Sequence, residues 1–577
     1  MDAMRRLFLL LLVAVPALPV HARQGCTIQV PVSNRGEQAD LGGMAAHIAS
    51  WGSVVVYSSA ATNLLREPVP MGSRVYAWDR ATGRTSLVSV ARDGTAPTGC
   101  SEPRASADGR LVVYSGFPEN IVFGDTNGQP DIFVRDLAAG TTARVNLADG
   151  GAQATQWSAK PAISGDGSRV AFVGFSPGLA PGQAGEVIHV FVRDLVAGAT
   201  RCASVPVAGG APDNSSGLGR PALSFDGRWI AFDSEASNLV AGDTNGKSDI
   251  FVRDLSTGVL VRGSVAHDGA QADGASSAAS LSGDGRFLAF QSSATNLVPG
   301  DTNGVVDVFV RDLALGTTIR ASVDNSGLQA IRGSWAPELS ETGRFLVMAS
   351  AARLDLADHD GIPDTFVRDM VLQRNEWLSV RPDAESPGWY NSSGAITADG
   401  RHVAFVSLLD SLVPDDEHGG HDVFLRDRFG CEPPVVAYCE SGVASDGCRP
   451  TLSASGTPSA SATSGFVIQG ANFGGARACM LIHGAAGPAR IPFGVGGGAL
   501  CVAGRLQRTP LFWTSGTPGQ CDGTFALDWN QLRAAIPAGA GLPLVAGQRV
   551  WLQAYERFPG DPAGPLMSHG LQFALAP

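Results

Sequence analysis

One pattern recurs seven times in the first three quarters of the chain, and few folds can accommodate that. Its fullest copy runs from Leu281 to Val323. A Gly283-Asp284-Gly285 turn is followed by an alternating stretch, Arg286 to Ser292. A loop then ends in Asp301-Thr302-Asn303-Gly304. After it come a second apolar stretch, Val306 to Asp312, a turn at Gly316 and a third stretch, Thr317 to Val323. The residue two before the turn Asp-Gly, or its equivalent, marks each copy: Ser50, Ser106, Ser164, Ser224, Ser282, Ser340 and Thr397, spaced 56 to 60 residues apart. Alternation of β-branched and aromatic residues over four to eight positions predicts strands. The next strand is nearly constant: IFVRDL at Ile132 and Ile250, VFVRDL at Val190 and Val308, TFVRDM at Thr365, VFLRDR at Val423, and a weaker VYAWDR at Val75. With a short apolar segment before each marker, every repeat supplies four strands. Seven such sheets set radially make a β-propeller, which leaves only short, protected edges.

A propeller must join its ends. Repeat seven breaks at Phe429-Gly430-Cys431-Glu432-Pro433-Pro434 before its fourth strand, whereas Thr27 to Ser33 reads like the fourth strand at Thr318 to Val323. The expectation is therefore an all-β, seven-bladed propeller closed by the N-terminal strand, with a Cys26–Cys431 disulfide locking the ring. Residues 1–22 read as a signal peptide: Arg5-Arg6, an apolar run too short to span a bilayer, and a small-residue site at Val20-His21-Ala22. No lipobox precedes Cys26, so a secreted or periplasmic protein, not a lipoprotein, is expected, with no transmembrane segment. The propeller is assigned to 23–432, a linker to 433–438, and a small disulfide-containing β-rich domain to 439–577. In that last part composition shifts to small polar residues, and one helix is expected from Trp529 to Ile536. Nine cysteines suit an oxidising compartment. Besides Cys26–Cys431, proximity suggests Cys439–Cys448 and Cys501–Cys521; the odd count leaves at least one unpaired. A formal charge of −12 argues against a nucleic-acid partner, which wants a basic face.

The repeats resemble the TolB-like, WD-like propeller repeat: Ser-x-Asp-Gly, an Ile/Val-Ala-Phe strand, then an aliphatic-aromatic-Val-x-Asp strand. SFDGRWIAF at Ser224 and DIFVRDL at Asp249 carry that resemblance, over roughly residues 27 to 430. It implies a propeller and no single function, since the fold hosts binding proteins and enzymes alike. The tail resembles an uncharacterised C-terminal module of secreted bacterial proteins, through SGTPSAS at Ser455, LCV at Leu500, RTP at Arg508 and the stretch from Cys521 to Trp529.

The strongest chemical pattern is a loop, Asp-x-(Asn/Asp/His)-Gly-x-x-Asp. It occurs as Asp125-Asn127-Asp131, Asp243-Asn245-Asp249, Asp301-Asn303-Asp307, Asp358-Asp360-Asp364 and Asp416-His418-Asp422. Alternate oxygens on a tight glycine-containing loop are what Ca²⁺ requires, several hard ligands at ~2.3–2.6 Å. The competing reading is an Asx turn whose first carboxylate caps its own backbone. Five copies favour structural calcium, with blades one and three excluded because they lack the acids. His418 and His421 also admit a transition metal at blade seven. The Arg-Asp of VRDL, such as Arg311-Asp312, is expected to form a ladder of structural pairs. Trp157, Trp335 and Trp389 precede innermost strands and are candidates for a ligand rim, against interblade packing. No HExxH, GxSxG or P-loop occurs, and no catalytic residue is assigned. The expected function is an exported, calcium-stabilised scaffold binding a protein or glycan at the cell envelope. The alternatives are a polysaccharide lyase or hydrolase with an axial active site, and a structural envelope or matrix component. Convergent His, Glu and Arg at the axis would favour the enzyme, small polar residues the scaffold.

Overall fold

The computed structural model describes residues 26–356 apart from 31, 34–36, 66, 118–119, 182 and 184. It further describes residues 358, 362–379, 391–408, 412–413, 416 and 419–429, and beyond them the strands named below with a few flanking residues. The leader, the linker up to residue 435 and all but the first residue of the expected helix lie outside the described residues. Seven four-stranded antiparallel sheets follow one another along the chain, and the protein is an all-β propeller. Blade 5 illustrates them: Ser276–Leu281 innermost, then Phe287–Ser292, Asp307–Asp312 and Thr317–Arg320. The innermost strands of the other blades are Gly43–Ile48, Cys100–Ala105, Ser158–Ile163, Ala222–Leu223, Ser334–Leu339 and Asn391–Ile396. No helix of the described residues is long and apolar enough to cross a membrane.

Closure runs as the repeat pattern predicts. Cys26–Gln29 pairs antiparallel with Asp422–Asp427, Cys26 opposite Asp427 and Gln29 opposite Phe424. The Arg426 guanidinium adds a hydrogen bond to Thr27 Oγ1 at 2.9 Å. Cys26 is disulfide-bonded. Cys431, which follows the paired strand by four positions, lies outside the described residues. Cys100 and Cys202 are free and buried.

The repeats are held by two devices. The turn is stapled by its marker: Ser282 Oγ donates to Asp284 and accepts from Phe287 N at 2.9 Å, while Asp284 Oδ1 takes the Arg286 N–H at 3.0 Å. In blade 1 the residue in this position is Ala49, not Ser50, because Ala49 N bonds Val54 O as Ser106 N bonds Leu111 O. The turns then bond from blade to blade around the ring. Trp51 N donates to Ala107 O (3.0 Å), Ala107 N to Gly165 O (2.9 Å), Asp166 N to Phe225 O (2.9 Å), Phe225 N to Gly283 O (2.8 Å) and Gly283 N to Glu341 O (2.7 Å). Thr342 Oγ1 links to Ala398 O (3.2 Å), and Ala398 N returns to Ser50 O (2.8 Å). The turn glycines are needed for this contact. At Gly400, φ is +71° and a Cβ would lie 2.2 Å from the Phe345 ring of the preceding blade.

The apolar core is distributed between blades rather than within them. One cluster joins Tyr57 and Trp78 of blade 1 to Val423 and Leu425 of blade 7; another joins Phe290 and Phe309 of blade 5 to Ile250 and Val252 of blade 4. Six blades carry a cross-strand aromatic pair of the Phe290–Phe309 kind, whose centroids are 5.8 Å apart. Such pairs contribute about 0.5–1.5 kcal/mol beyond their area.

Beyond the ring, Val436–Tyr438 pairs with Leu566–Ala574, so a strand begins inside the span assigned to the linker. Leu566–Ala574, Arg549–Arg557, Ala478–Gly484 and Gln507–Arg508 continue that sheet in order, and Phe512–Trp513 also pairs Ala478–Gly484. Thr451–Gly456, Phe466–Phe473 and Gly523–Asp528 form a three-stranded sheet; Pro488–Pro492 and Ala499–Val502 form a two-stranded one. Cys501 lies on the last of these strands, while Cys439, Cys448 and Cys521 lie outside the described residues.

Candidate functional site

Charged side chains gather out of bulk water in the Asp-rich loops at the rim and in the bore at the ring's centre. In blade 5 the outermost strand sends Arg320 between the two loop carboxylates. Its Nη1 lies 3.2 Å from Asp301 Oδ1 and 3.3 Å from Asp307 Oδ2. It also donates to Gln329 Oε1 at 2.7 Å, and Gln329 Nε2 donates to Thr302 Oγ1 at 2.7 Å. Asn303 turns its amide donor toward Asp307 Oδ2 (2.7 Å), and its carbonyl accepts the Val305 N–H (3.2 Å). Blades 2 and 4 repeat the arrangement. Arg144 lies 3.2 Å from Asp131 and 3.7 Å from Asp125; Arg262 lies 3.5 Å from Asp249 and 3.2 Å from Asp243. Asn127 and Asn245 likewise offer N–H to the second carboxylate. The donor set of a hard cation does not fit these three loops. A guanidinium supplies the positive charge, and the asparagine oxygen is already engaged by backbone.

The other four blades differ at the same register. Opposite the third-strand aromatic, where blade 5 pairs Phe309 with Arg320, blade 6 pairs Phe366 with Trp377 and blade 7 pairs Phe424 with Gln29. These two loops keep buried Asp358, Asp364 and Asp422 and partly buried Asp416, with no arginine on the outermost strand facing them. Gln38 Nε2 donates to Asp416 Oδ1 at 2.7 Å, and Arg353 Nε to the Asp358 carbonyl at 2.5 Å. Oxygen-rich loops of this kind fit Ca²⁺ better than those of blades 2, 4 and 5. Their middle residues, Asp360 and His418, lie outside the described residues. Among the described residues no group of three His, Cys, Asp or Glu side chains converges as a metal cluster. In blade 3 the pair becomes His189 and Cys202, whose Sγ lies 3.5 Å from His189 Nδ1, and burial raises the Cys202 thiol's pKa.

The VRDL aspartates do form a ladder, but not with their sequence neighbours. Asp312 pairs with Arg286 at 2.6 Å, and Asp254, Asp369, Asp427 and Asp136 pair with Arg228, Arg344, Arg401 and Arg110. Adjacent strand residues point to opposite faces. Arg311 therefore turns toward the neighbouring blade, near Val265 O at 3.3 Å. Trp157 packs against the core between blades 3 and 4, which is interblade packing. Trp335 is the second residue of its innermost strand and is partly buried. Trp389 lies outside the described residues.

The bore was not singled out by the motifs. Its walls are the seven innermost strands, and they enclose a cavity of about 430 Å³. Five of these strands carry a bulge whose third residue has positive φ: Ala45 (53°), Glu102 (57°), Lys160 (55°), Ala278 (55°) and Ala336 (50°). The ladder register shifts across each bulge, for example between Ser101 and Arg104. Bulges re-aim side chains, and non-glycine residues held in this region cluster where structure serves function. Alanine is the commonest wall residue, with glycine, proline and aliphatic side chains beside it. The ionisable wall residues are His47, Glu102, Arg104, Lys160, Arg220 and Glu338, and Lys160 is one of only two lysines in the chain.

These groups are tied to the wall and to one another. Glu102 Oε2 accepts from Lys160 N (2.8 Å) and Ser115 Oγ (3.2 Å), and Glu102 Oε1 lies 3.7 Å from Arg220 Nη2. The Lys160 ammonium donates to Leu218 O, and Arg104 Nη1 to Pro103 O at 3.0 Å. Behind the wall, buried Asp233 accepts the Gly219 N–H at 2.9 Å. His47 Nδ1 accepts the Ala105 N–H at 3.3 Å, which puts the ring proton on Nε2. Burial, reinforced by Arg104 and Arg220, holds its pKa well below the usual histidine value, so the ring is neutral at pH 7. Burial and then Arg220 bring the pKa of Arg104 down to about 9. Burial raises the Glu338 carboxyl although Arg104 and Arg220 oppose the shift.

A column-by-column comparison of the repeats would have found this site. Four residues before the turn marker the blades read Ala45, Glu102, Lys160, Arg220, Ala278, Ala336, Ser393. Two before it they read His47, Arg104, Ala162, Ala222, Ser280, Glu338, Ala395.

No known sequence family and no curated protein matches the chain. Several solved propellers are similar in structure. TolB from Agrobacterium tumefaciens is 16% identical, with a TM-score of 0.33 over 60% of this chain and 94% of that one. The β-propeller domain of the Trilobed protease from Pyrococcus furiosus is 10% identical, with a TM-score of 0.41 over 64% and 91%. The WD40 repeats of RRP9 are 11% identical, with a TM-score of 0.34 over 70% and 99%. The propeller assignment rests on the seven sheets and their ring of hydrogen bonds.

Proposed function

We propose that the chain is an exported scaffold that binds a glycan or protein of the cell envelope, and that the axial cavity is its recognition site. One observation carries this reading. Repeats that agree at the turn and the third strand disagree at the two columns facing the bore, and there they place six ionisable side chains around one cavity. A pocket of ~300–1,000 Å³ with few convergent polar groups on apolar walls is the usual form of a ligand site. Export rests on the leader at 1–22 and on the disulfide-bonded Cys26. Cys431 is its proposed partner. We confine calcium to the loops of blades 6 and 7, where the metal would be structural.

The test is binding of envelope oligosaccharides and peptides to the mature protein, by calorimetry, in calcium. A ligand whose binding is abolished when Ala222→Trp fills the bore supports the reading. Ligands that bind equally well to that folded variant place recognition elsewhere. The convergence of His47, Glu338 and two arginines also favours a second reading, an axial lyase or hydrolase, because a carboxyl with a raised pKa in a cavity suits acid or base work. Turnover of a polysaccharide fragment that disappears in Glu338→Gln would establish it; binding without turnover leaves the scaffold.

A further inference from the structure

We propose that the axial cavity receives a small monocarboxylate, seated on the guanidinium of Arg220. This deepens the axial-site reading and rests on it. Nε and Nη1 of Arg220 are buried and have no hydrogen-bond partner among the described residues, and its remaining nitrogen reaches Glu102 only at 3.7 Å. Three of the five guanidinium N–H bonds are carried by those two nitrogens. Leaving buried charged donors unsatisfied is costly, and Nη2 forms a planar fork with either of them, the geometry that matches a carboxylate in two parallel bonds.

The charge around the cavity selects the ligand's charge. Arg104, Lys160 and Arg220 face Glu102 and Glu338, one positive charge in excess. A monoanion balances that excess, whereas a dianion meets the two glutamates. The Lys160 ammonium is held by Leu218 O and acts as a fixed charge. The Nε2–H of neutral His47 is a further donor among the cavity-lining groups. The rest of the wall is small or aliphatic apart from Ser280, whose hydroxyl already accepts the Leu339 N–H at 2.9 Å; such walls keep the local dielectric low, so each hydrogen bond counts for more. A cavity of about 430 Å³ admits a ligand the size of a monosaccharide acid.

The experiment uses the full mature chain in calcium, with D-glucuronate, acetate, D-glucose and sulfate as probes, read by calorimetry and by the melting temperature. Glucuronate is expected to bind and raise the melting temperature, acetate to bind more weakly at the same site, and glucose and sulfate to do neither. Arg220→Gln should weaken glucuronate by about tenfold or more, while Arg110→Gln on the outer surface leaves it unchanged. Equal binding of glucose and glucuronate overturns the proposal, and that comparison needs no variant to fold. So does undiminished affinity in Arg220→Gln, or no binding of either carboxylate at about 10 mM. An envelope glycan or peptide that is blocked by Ala222→Trp but indifferent to glucuronate would sink the carboxylate and leave the axial-site reading standing.

Discussion

The rim loops and the bore handle buried charge in opposite ways. At the rim of blades 2, 4 and 5 each acidic loop carries its own answer: Arg144, Arg262 or Arg320 bridges two carboxylates, and an asparagine and a glutamine complete the set. The unit is self-contained and recurs with the repeat. In the bore only blade 2, with Glu102 and Arg104, carries both signs, and blades 3, 4 and 6 each bring a single charge. Glu102, Arg104, Lys160, Arg220 and Glu338 come from four blades and meet only because the ring closes. Where the copies agree, the chemistry serves the fold; where they differ, it is available for a ligand.

The sharpest way to break this comparison is at the rim. Arg320→Leu should cost about 3–5 kcal/mol in denaturant unfolding, because it strands Asp301 and Asp307 in a buried site. Replacing all three residues by neutral ones should restore much of the loss. Arg320→Gln recreates the register of Gln29 in blade 7 and should make blade 5 stability calcium-dependent. Metal analysis comes next. Two or fewer bound Ca²⁺ are expected instead of five, and chelation should remove about 2.7 kcal/mol for each site held at 100 times its dissociation constant. Retention of five ions would return blades 2, 4 and 5 to the metal sites. Gly400→Ala should cost about 1–3 kcal/mol, since a Cβ there meets Phe345. Gly304→Ala, with open space around it, should cost about 1 kcal/mol or less for its φ of +66° alone.

A smaller effect sharpens the bore. Burial holds the folded pKa of Glu338 above its unfolded value, against Arg104 and Arg220. The stability it contributes is therefore present at acid pH and lost as pH rises through the folded pKa. Glu338→Gln should be more stable than the parent at pH 8, with the difference fading below about pH 4. A pH-independent difference would mean that the carboxyl does not titrate in the bore. Last, Arg286→Ala, which breaks a bidentate pair between half-exposed Arg286 and buried Asp312, should cost about 1 kcal/mol or less in denaturant unfolding.

The strands, their number and the closing partner were legible in the chain because alternation and turn chemistry are local and repeated seven times. What failed to show was what lies on a strand's other side. Asp312 is adjacent to Arg311 in sequence but shares a face with Arg286. Arg320 is distant in sequence from Asp301, so the acids read as a cation loop while their counter-charge sat on the next strand but one. Ser50 imitates the marker that Ala49 occupies, because blade 1 has Trp51-Gly52 in place of Asp-Gly. The bore residues carry no motif at all. They share two columns with alanine and serine and are visible only once the copies are aligned and the bulges known to aim those positions at the axis.

Blade 7 is built from both ends of the ring, Cys26–Gln29 beside Asp422–Asp427. That arrangement sets a schedule. Six blades can collapse as soon as their own hairpins exist, since their contacts are short-range, but the last sheet waits for partners about four hundred residues apart. Contacts of such separation are slow to form. The half-made ring would meanwhile show one raw strand edge, the kind that pairs with other chains. A covalent link at Cys26 would turn a slow, reversible meeting into a permanent one, so the order of oxidation and ring closure should decide how much chain reaches the native state.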